Sequence, residues 1–202
     1  MPYGYLGQNT PNQTVSNSGV FDISSAADLT KKGKFGGSLE LIEEQTVSAV
    51  STIDFTDLKN YDVHLLSING LNSSTSNQFY IRLSTDSGSS FISSGYQYAF
   101  NRGTTAGSFF DSKSTSSSQI NTGIISSTTV NRGNAYIYFY NLLNSSKYSF
   151  CTFQSFSTNG SDTRFTFGGG VLPTSATHNA LQIQTSSGTT SGNTKLYGVK
   201  QL

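Results

Sequence analysis

Few side chains in this sequence could carry chemistry. Nucleophilic catalysis requires a base within hydrogen-bond reach of a hydroxyl or thiol, and the imidazoles that could serve are His64 and His178. Neither belongs to a nucleophile motif, since no Gly-x-Ser-x-Gly elbow occurs. His64 stands in the run Asp62-Val63-His64-Leu65-Leu66 and reads as a hydrogen-bonded strand residue. His178 follows a polar loop with no second His or Cys close by, so a zinc site is not expected. Cys151, the one cysteine, falls amid an aromatic strand pattern and reads as a small buried apolar residue. Glycoside hydrolysis needs two carboxylates across a cleft. The acidic cluster Glu40-Leu41-Ile42-Glu43-Glu44 would instead place Glu40 and Glu44 on one strand face and Glu43 on the other. That pattern suits a charged sheet edge that discourages aggregation. The expectation is no catalytic residue, no metal and no cofactor.

Binding chemistry has more to work with. The chain holds 14 Phe, 11 Tyr and no Trp. A sugar platform could use Tyr96 and Tyr98, which share one strand face, or Tyr136, Tyr138 and Tyr140. The stretch Ser84-Thr85-Asp86-Ser87-Gly88-Ser89-Ser90-Phe91 resembles an Asp-box, in which the aspartate bonds loop amides and the aromatic anchors the hairpin; Asp86 should therefore staple a turn. The triplets Asn101-Arg102-Gly103 and Asn131-Arg132-Gly133 read as turns as well.

The elements that must position these groups are strands. Ser, Thr, Asn and Gly account for 95 of 202 residues, yet the aromatics are too many for a disordered polar chain. Charged residues are 11% and the net charge is +1, with no basic run beyond Lys31-Lys32-Gly33-Lys34, so a nucleic-acid partner is not expected. Acids dominate up to His64 and bases after it, leaving the two portions at −4 and +5. No apolar run is long enough for membrane insertion and no secretory leader precedes the first strand, so the chain is expected to be soluble. Strand signals recur every 8 to 15 residues, over 38–42, 45–55, 61–69, 78–84, 94–100, 135–143, 148–156, 164–167, 180–184 and 194–199. Phe79, Ile81 and Leu83 should share one face, as should Phe150, Thr152, Gln154 and Phe156. The run Tyr136 to Tyr140 is apolar on both faces and predicts a central strand covered on both sides. Loops 112–118 and 185–192 read as flexible hairpin tips. Residues 37–202 are thus predicted to form one all-β, antiparallel, jelly-roll-like sandwich. Residues 1–36 read as an extended arm with a short helix over 24–33. Its Tyr3, Tyr5, Leu6, Val20 and Phe21 would gain order by lying on a partner.

Three blocks carry a resemblance: Gly36 to Val47 with Ile53-Asp54-Phe55-Thr56 and Tyr61-Asp62-Val63-His64; Arg82 to Phe91 through Gly95-Tyr96-Gln97-Tyr98-Ala99; and Ala180-Leu181-Gln182-Ile183 through Gly192 to Val199. In order and spacing they look like a family of structural virion proteins from tailed bacteriophages, particularly those of marine bacteria and cyanobacteria. The resemblance implies a jelly-roll tail-fibre, appendage or capsid-decoration subunit, located on the virion after assembly in the host cytoplasm, with other virion proteins as partners and no enzymatic activity. Likeness to fibre proteins implies a homotrimer; the many aromatics and few charges independently favour a homo-oligomer. The arm would be the attachment segment and the sandwich the part presented for host adsorption. The alternative is a carbohydrate-binding, lectin-like adhesin module that contacts a host surface glycan.

Overall fold

The computed structural model describes residues 27, 38–75, 77–126, 133–158 and 162–200. Twelve strands are found among them: β1 (Leu39–Val50), β2 (Thr52–Phe55), β3 (Val63–Ser73), β4 (Asn77–Ser84), β5 (Tyr96–Thr104), β6 (Phe109–Ser117), β7 (Ile120–Ser126), β8 (Gly133–Tyr140), β9 (Ser149–Thr158), β10 (Thr163–Leu172), β11 (Ala180–Thr185) and β12 (Thr190–Val199). The chain divides into a large compact unit, residues 41–199, and a small one of residues 1–40 with 200–202. In the small unit the Lys200 amide donates to the Ser38 carbonyl at 2.8 Å, and the Lys200 ammonium lies 3.2 Å from the Glu40 carboxylate. Of the segment predicted as a helix only Ala27 is described, and it is helical. Tyr3, Tyr5, Leu6, Val20 and Phe21 lie outside the described residues.

The large unit is a β-sandwich of two antiparallel sheets. One has eight strands in the order β1-β12-β3-β8-β9-β10-β5-β6, the other four in the order β2-β11-β4-β7. A simpler pattern emerges when the hairpins β5–β6 and β9–β10 are set aside. The remaining eight strands pair as nested partners, β1 with β12, β2 with β11, β3 with β8 and β4 with β7, alternating between the two sheets. The hairpins interrupt this nest between β4 and β7 and between β8 and β11, and they extend the larger sheet beyond β8.

Alternation along the nested strands aims apolar side chains between the sheets. Phe79, Ile81 and Leu83 on β4 share that face as predicted, each 1% exposed or less. Across the smaller sheet Ile81 is in register with Ile183 of β11, which is in register with Ile53 of β2. The larger sheet answers with Leu66 in register with both Leu196 and Ile137, and with Phe139 and Phe153 in the same core. Each such side chain contributes about 1.5–3 kcal/mol on leaving water.

Several boundaries differ from the sequence reading. The predicted strands over 38–42 and 45–55 divide at Ser51 instead, after Ala49 adopts a left-handed φ of 56°. Residues 112–118, predicted as a hairpin tip, belong mostly to β6, and β7 follows at once. The triplet at Asn101 is mid-strand in β5, where each residue keeps a ladder partner, so it is not a turn. The tip predicted over 185–192 shrinks to 186–189. β8 is central, but only its inner face is covered among the described residues: Ile137 and Phe139 are buried, while Tyr136 on the other face is 39% exposed.

Candidate binding face

The residues that catalysis would need are built into the scaffold. The His64 ring Nε2 lies 2.9 Å from the Lys59 carbonyl oxygen, and the Ser149 hydroxyl lies 2.7 Å from Nδ1 of His178. That serine–histidine pair, which no sequence motif announces, is enclosed: His64 and His178 have no exposed surface, and Ser149 has 2%. Burial lowers the pKa of both imidazoles, so the neutral ring is the favoured form. Cys151 is buried in β9, and desolvation, only partly opposed by the Gly170 amide, pushes its thiol up to about 12, as an inert core cysteine requires. Glu44 on edge strand β1 accepts from the Asn193 amide at 2.8 Å and pairs with Lys195 at 3.3 Å, so it is already engaged. Among the described residues no group of three or more His, Cys, Asp or Glu converges as a metal site.

Asp86 staples its loop. Its Oδ1 accepts from the Ser90 amide at 2.9 Å and the Ser84 hydroxyl at 2.6 Å, and its Oδ2 from the Ser90 hydroxyl at 2.6 Å. These donors, Ser84 foremost, hold the carboxyl down at about 2. Gly88 in this loop has φ of +85°, and a Cβ there would approach the Thr56 methyl at 2.7 Å, which explains the glycine. Asn179 holds the loop from the start of β11, accepting from the Ser87 amide at 2.8 Å.

Among the described residues, what remains uncovered is the outer face of the extended sheet. Strict alternation in β9 buries Ser149, Cys151, Phe153, Ser155 and Ser157 and turns Phe150, Thr152, Gln154 and Phe156 outward. The registers assemble these into rows across five strands. One row runs Tyr136, Gln154, Phe167, Asn101, Asp111; the next runs Tyr138, Thr152, Gly169, Ala99, Lys113; a third brings Tyr140, Phe150, Val171 and Gln97 side by side. The middle row has no large side chain over Gly169 and Ala99, so the face sinks there into a trough. Two open depressions meet at Ala99 and Lys113, one of about 550 Å³ flanked by Phe150 and Val171, the other of about 260 Å³ flanked by Phe167, Asn101 and Asp111. The glycine is required, because a Cβ at Gly169 would lie 2.8 Å from the Cys151 carbonyl oxygen. Aromatic walls, a backbone floor and amide, carboxylate and ammonium groups at the rim can hold a ring stacked and hydrogen-bonded.

The predicted glycan contacts are not part of this trough as side chains. Tyr96 points inward with no exposed surface, and its hydroxyl accepts from the buried Leu83 amide at 2.7 Å, so the expectation for it is corrected. Tyr98 is half-buried on the same inward side, packs on the core and stacks on Phe100 with ring centroids 6.2 Å apart. Phe150, Phe167, Asn101, Asp111 and Lys113 were not predicted as a site. The period-two pattern of β9 was the available signal for Phe150, and the run Gly168-Gly169-Gly170 the signal for a gap.

Compared with family models, with curated proteins and with solved structures, the chain has no match.

Proposed function

We propose that this chain is a non-enzymatic structural subunit of a tailed-phage virion, a fibre, appendage or capsid-decoration protein that attaches through residues 1–36 and presents its sandwich outward. The observation that carries the reading is the nested strand order, β1-β12-β3-β8 against β2-β11-β4-β7. We read that order as jelly-roll-like, an architecture that recurs in viral capsid and lectin domains. The three sequence blocks that resemble phage virion proteins agree with it. The aromatic outer face adds support for self-association, because Phe165 and Phe167 are 46% and 57% exposed on an isolated copy. A homotrimer is the state proposed. Mass spectrometry of purified particles from cells producing the phage should detect the chain, and particles that lack it overturn the virion reading. Light scattering should give a multiple of 21.7 kDa.

A carbohydrate-binding adhesin is the second reading, favoured by the trough between Phe150 and Phe167. A glycan array probed with the parent chain should give hits that Phe150→Ala abolishes. An array without hits removes this reading and leaves the first standing.

A further inference from the structure

We propose that the inner side of the extended sheet carries a binding site for a small oxyanion, of the phosphate or sulfate type, held by Arg102 of β5 and Arg164 of β10. The ladders bring the two residues together. Arg102 is in register with Thr166, and Arg164, two positions away on the same strand face, is in register with Thr104 and with Ser157. Both side chains are only partly exposed. Among the described residues one carboxylate pairs with them: Asp162 lies 3.5 Å from the Arg164 guanidinium. Two guanidiniums against one carboxylate leave the cluster with a net positive charge.

The hydrogen-bond inventory points the same way. Among the described residues, Nε and Nη1 of Arg102, Nε of Arg164 and the hydroxyl of Thr166 are enclosed and have no hydrogen-bond partner. Every one of these groups can donate, and an enclosed donor left unpaired is a costly arrangement for a charged group. What is missing is an acceptor. Phe110 of β6 holds the Arg102 guanidinium 5.1 Å from its ring centroid, which fixes the plane of the fork before anything binds. Burial first, and then the neighbouring Arg164 charge, lower the Arg102 pKa, with Asp162 opposing; an added anion would relieve both effects. A tetrahedral oxyanion presents several acceptor oxygens and suits a guanidinium fork. This site lies on the side of the sheet opposite the trough, and its failure would leave the trough untouched.

The full chain is titrated with inorganic phosphate and, separately, sulfate, by calorimetry and thermal melting, with sodium chloride at matched ionic strength as the control. The expected result is saturable binding and a rise in melting temperature beyond that produced by chloride. Arg102→Gln should weaken phosphate binding at least about 10-fold, the scale of one lost charge-assisted contact. Lys147→Gln, which removes an exposed positive charge from the connection between β8 and β9, should leave the affinity unchanged. If Arg102→Gln does not fold, Arg102→Lys keeps the charge without the fork and should show the same loss. A phosphate response no larger than that of chloride, equal weakening by Lys147→Gln, or full affinity in the folded arginine variant each overturns the proposal.

Discussion

In the nested strands β2, β4 and β8 the phenylalanines Phe55, Phe79 and Phe139 point between the sheets, whereas in the inserted strands β6, β9 and β10 six phenylalanines stand in solvent. Phe109, Phe110, Phe150, Phe156, Phe165 and Phe167 are each at least 42% exposed, while Phe55 and Phe79 have no exposed surface at all. The same residue type therefore does two jobs in one molecule. In the nest it excludes water and holds the sheets together. On the hairpins five of the six form an outward surface with lateral contacts such as the edge-to-face pair of Phe156 and Phe165, 5.6 Å apart, while Phe110 packs on Arg102 on the other side of the sheet. Because each hairpin enters and leaves the nest between strands already paired elsewhere, the aromatic face is free to vary without altering the nested order.

The comparison is tested first by truncating a phenylalanine in each region. Phe79→Ala should destabilise by about 3–5 kcal/mol, as expected for a large cavity in a close-packed core. Phe167→Ala should cost below about 1 kcal/mol. Chemical denaturation of the two variants gives the difference directly, and similar costs would mean the outer face is covered in the folded protein. Next in size is Gly168→Ala, whose Cβ would collide with the Ala99 carbonyl oxygen and the Phe100 Cβ across the β10–β5 ladder. A loss of about 1–3 kcal/mol is expected, with β10 and β5 losing amide protection ahead of β3 and β4 in hydrogen exchange.

A third test is chemical. His64 lies on β3 of the nest and His178 on the connection from β10 to β11, and burial lowers both pKa values in the folded state. The unfolded chain then binds protons that the folded one does not. Stability should therefore be full above about pH 6.5 and decline as pH falls below it, by up to about 1.4 kcal/mol per pH unit for each histidine. Melting temperatures followed from pH 7.5 to 5 read this out, and a flat profile would show that neither ring is held neutral. The smallest effect is expected from Asp86→Asn. Asp86 has a folded pKa of about 2, against 3.8 for an unperturbed aspartate, so its contribution is full above about pH 3.8, fades as the pH falls below that value and is gone below about 2. At pH 7 the variant should lower the melting temperature less than Gly168→Ala does, and the deficit should close under strong acid.

How far the sequence alone reaches differs between the two regions for physical reasons. The nest is legible, since one face of each strand meets the core and the other does not, and Phe79-x-Ile81-x-Leu83 writes that asymmetry into the chain. β6 has an exposed or half-exposed residue at every position and is an edge strand laddered to β5, so no hydrophobic period marks it. β7 buries Ile120 and Ile124, but Gly123 with φ of 69° and a shifted register against β4 break the period between them. The trough was missed for a different reason. Alternation says that two faces of a strand differ and not which of them points inward, and on β5 the tyrosines Tyr96 and Tyr98 turned inward while Ala99 and Asn101 turned out.

Cys151 sits where nest and hairpin meet, in β9 between Phe139 of β8 and Gly170 of β10. As the sole thiol, buried and with its pKa pushed up to about 12, it cannot react with a disulfide reagent from the closed fold. Modification must pass through an opening that exposes this one atom, so the labelling rate measures the free energy of that opening. If the labelling free energy equals the global unfolding free energy, the added hairpin and the nest open as a single cooperative unit. If it is smaller, the hairpin detaches on its own, and the aromatic face is carried by a part of the molecule that can come and go while the nest stays shut.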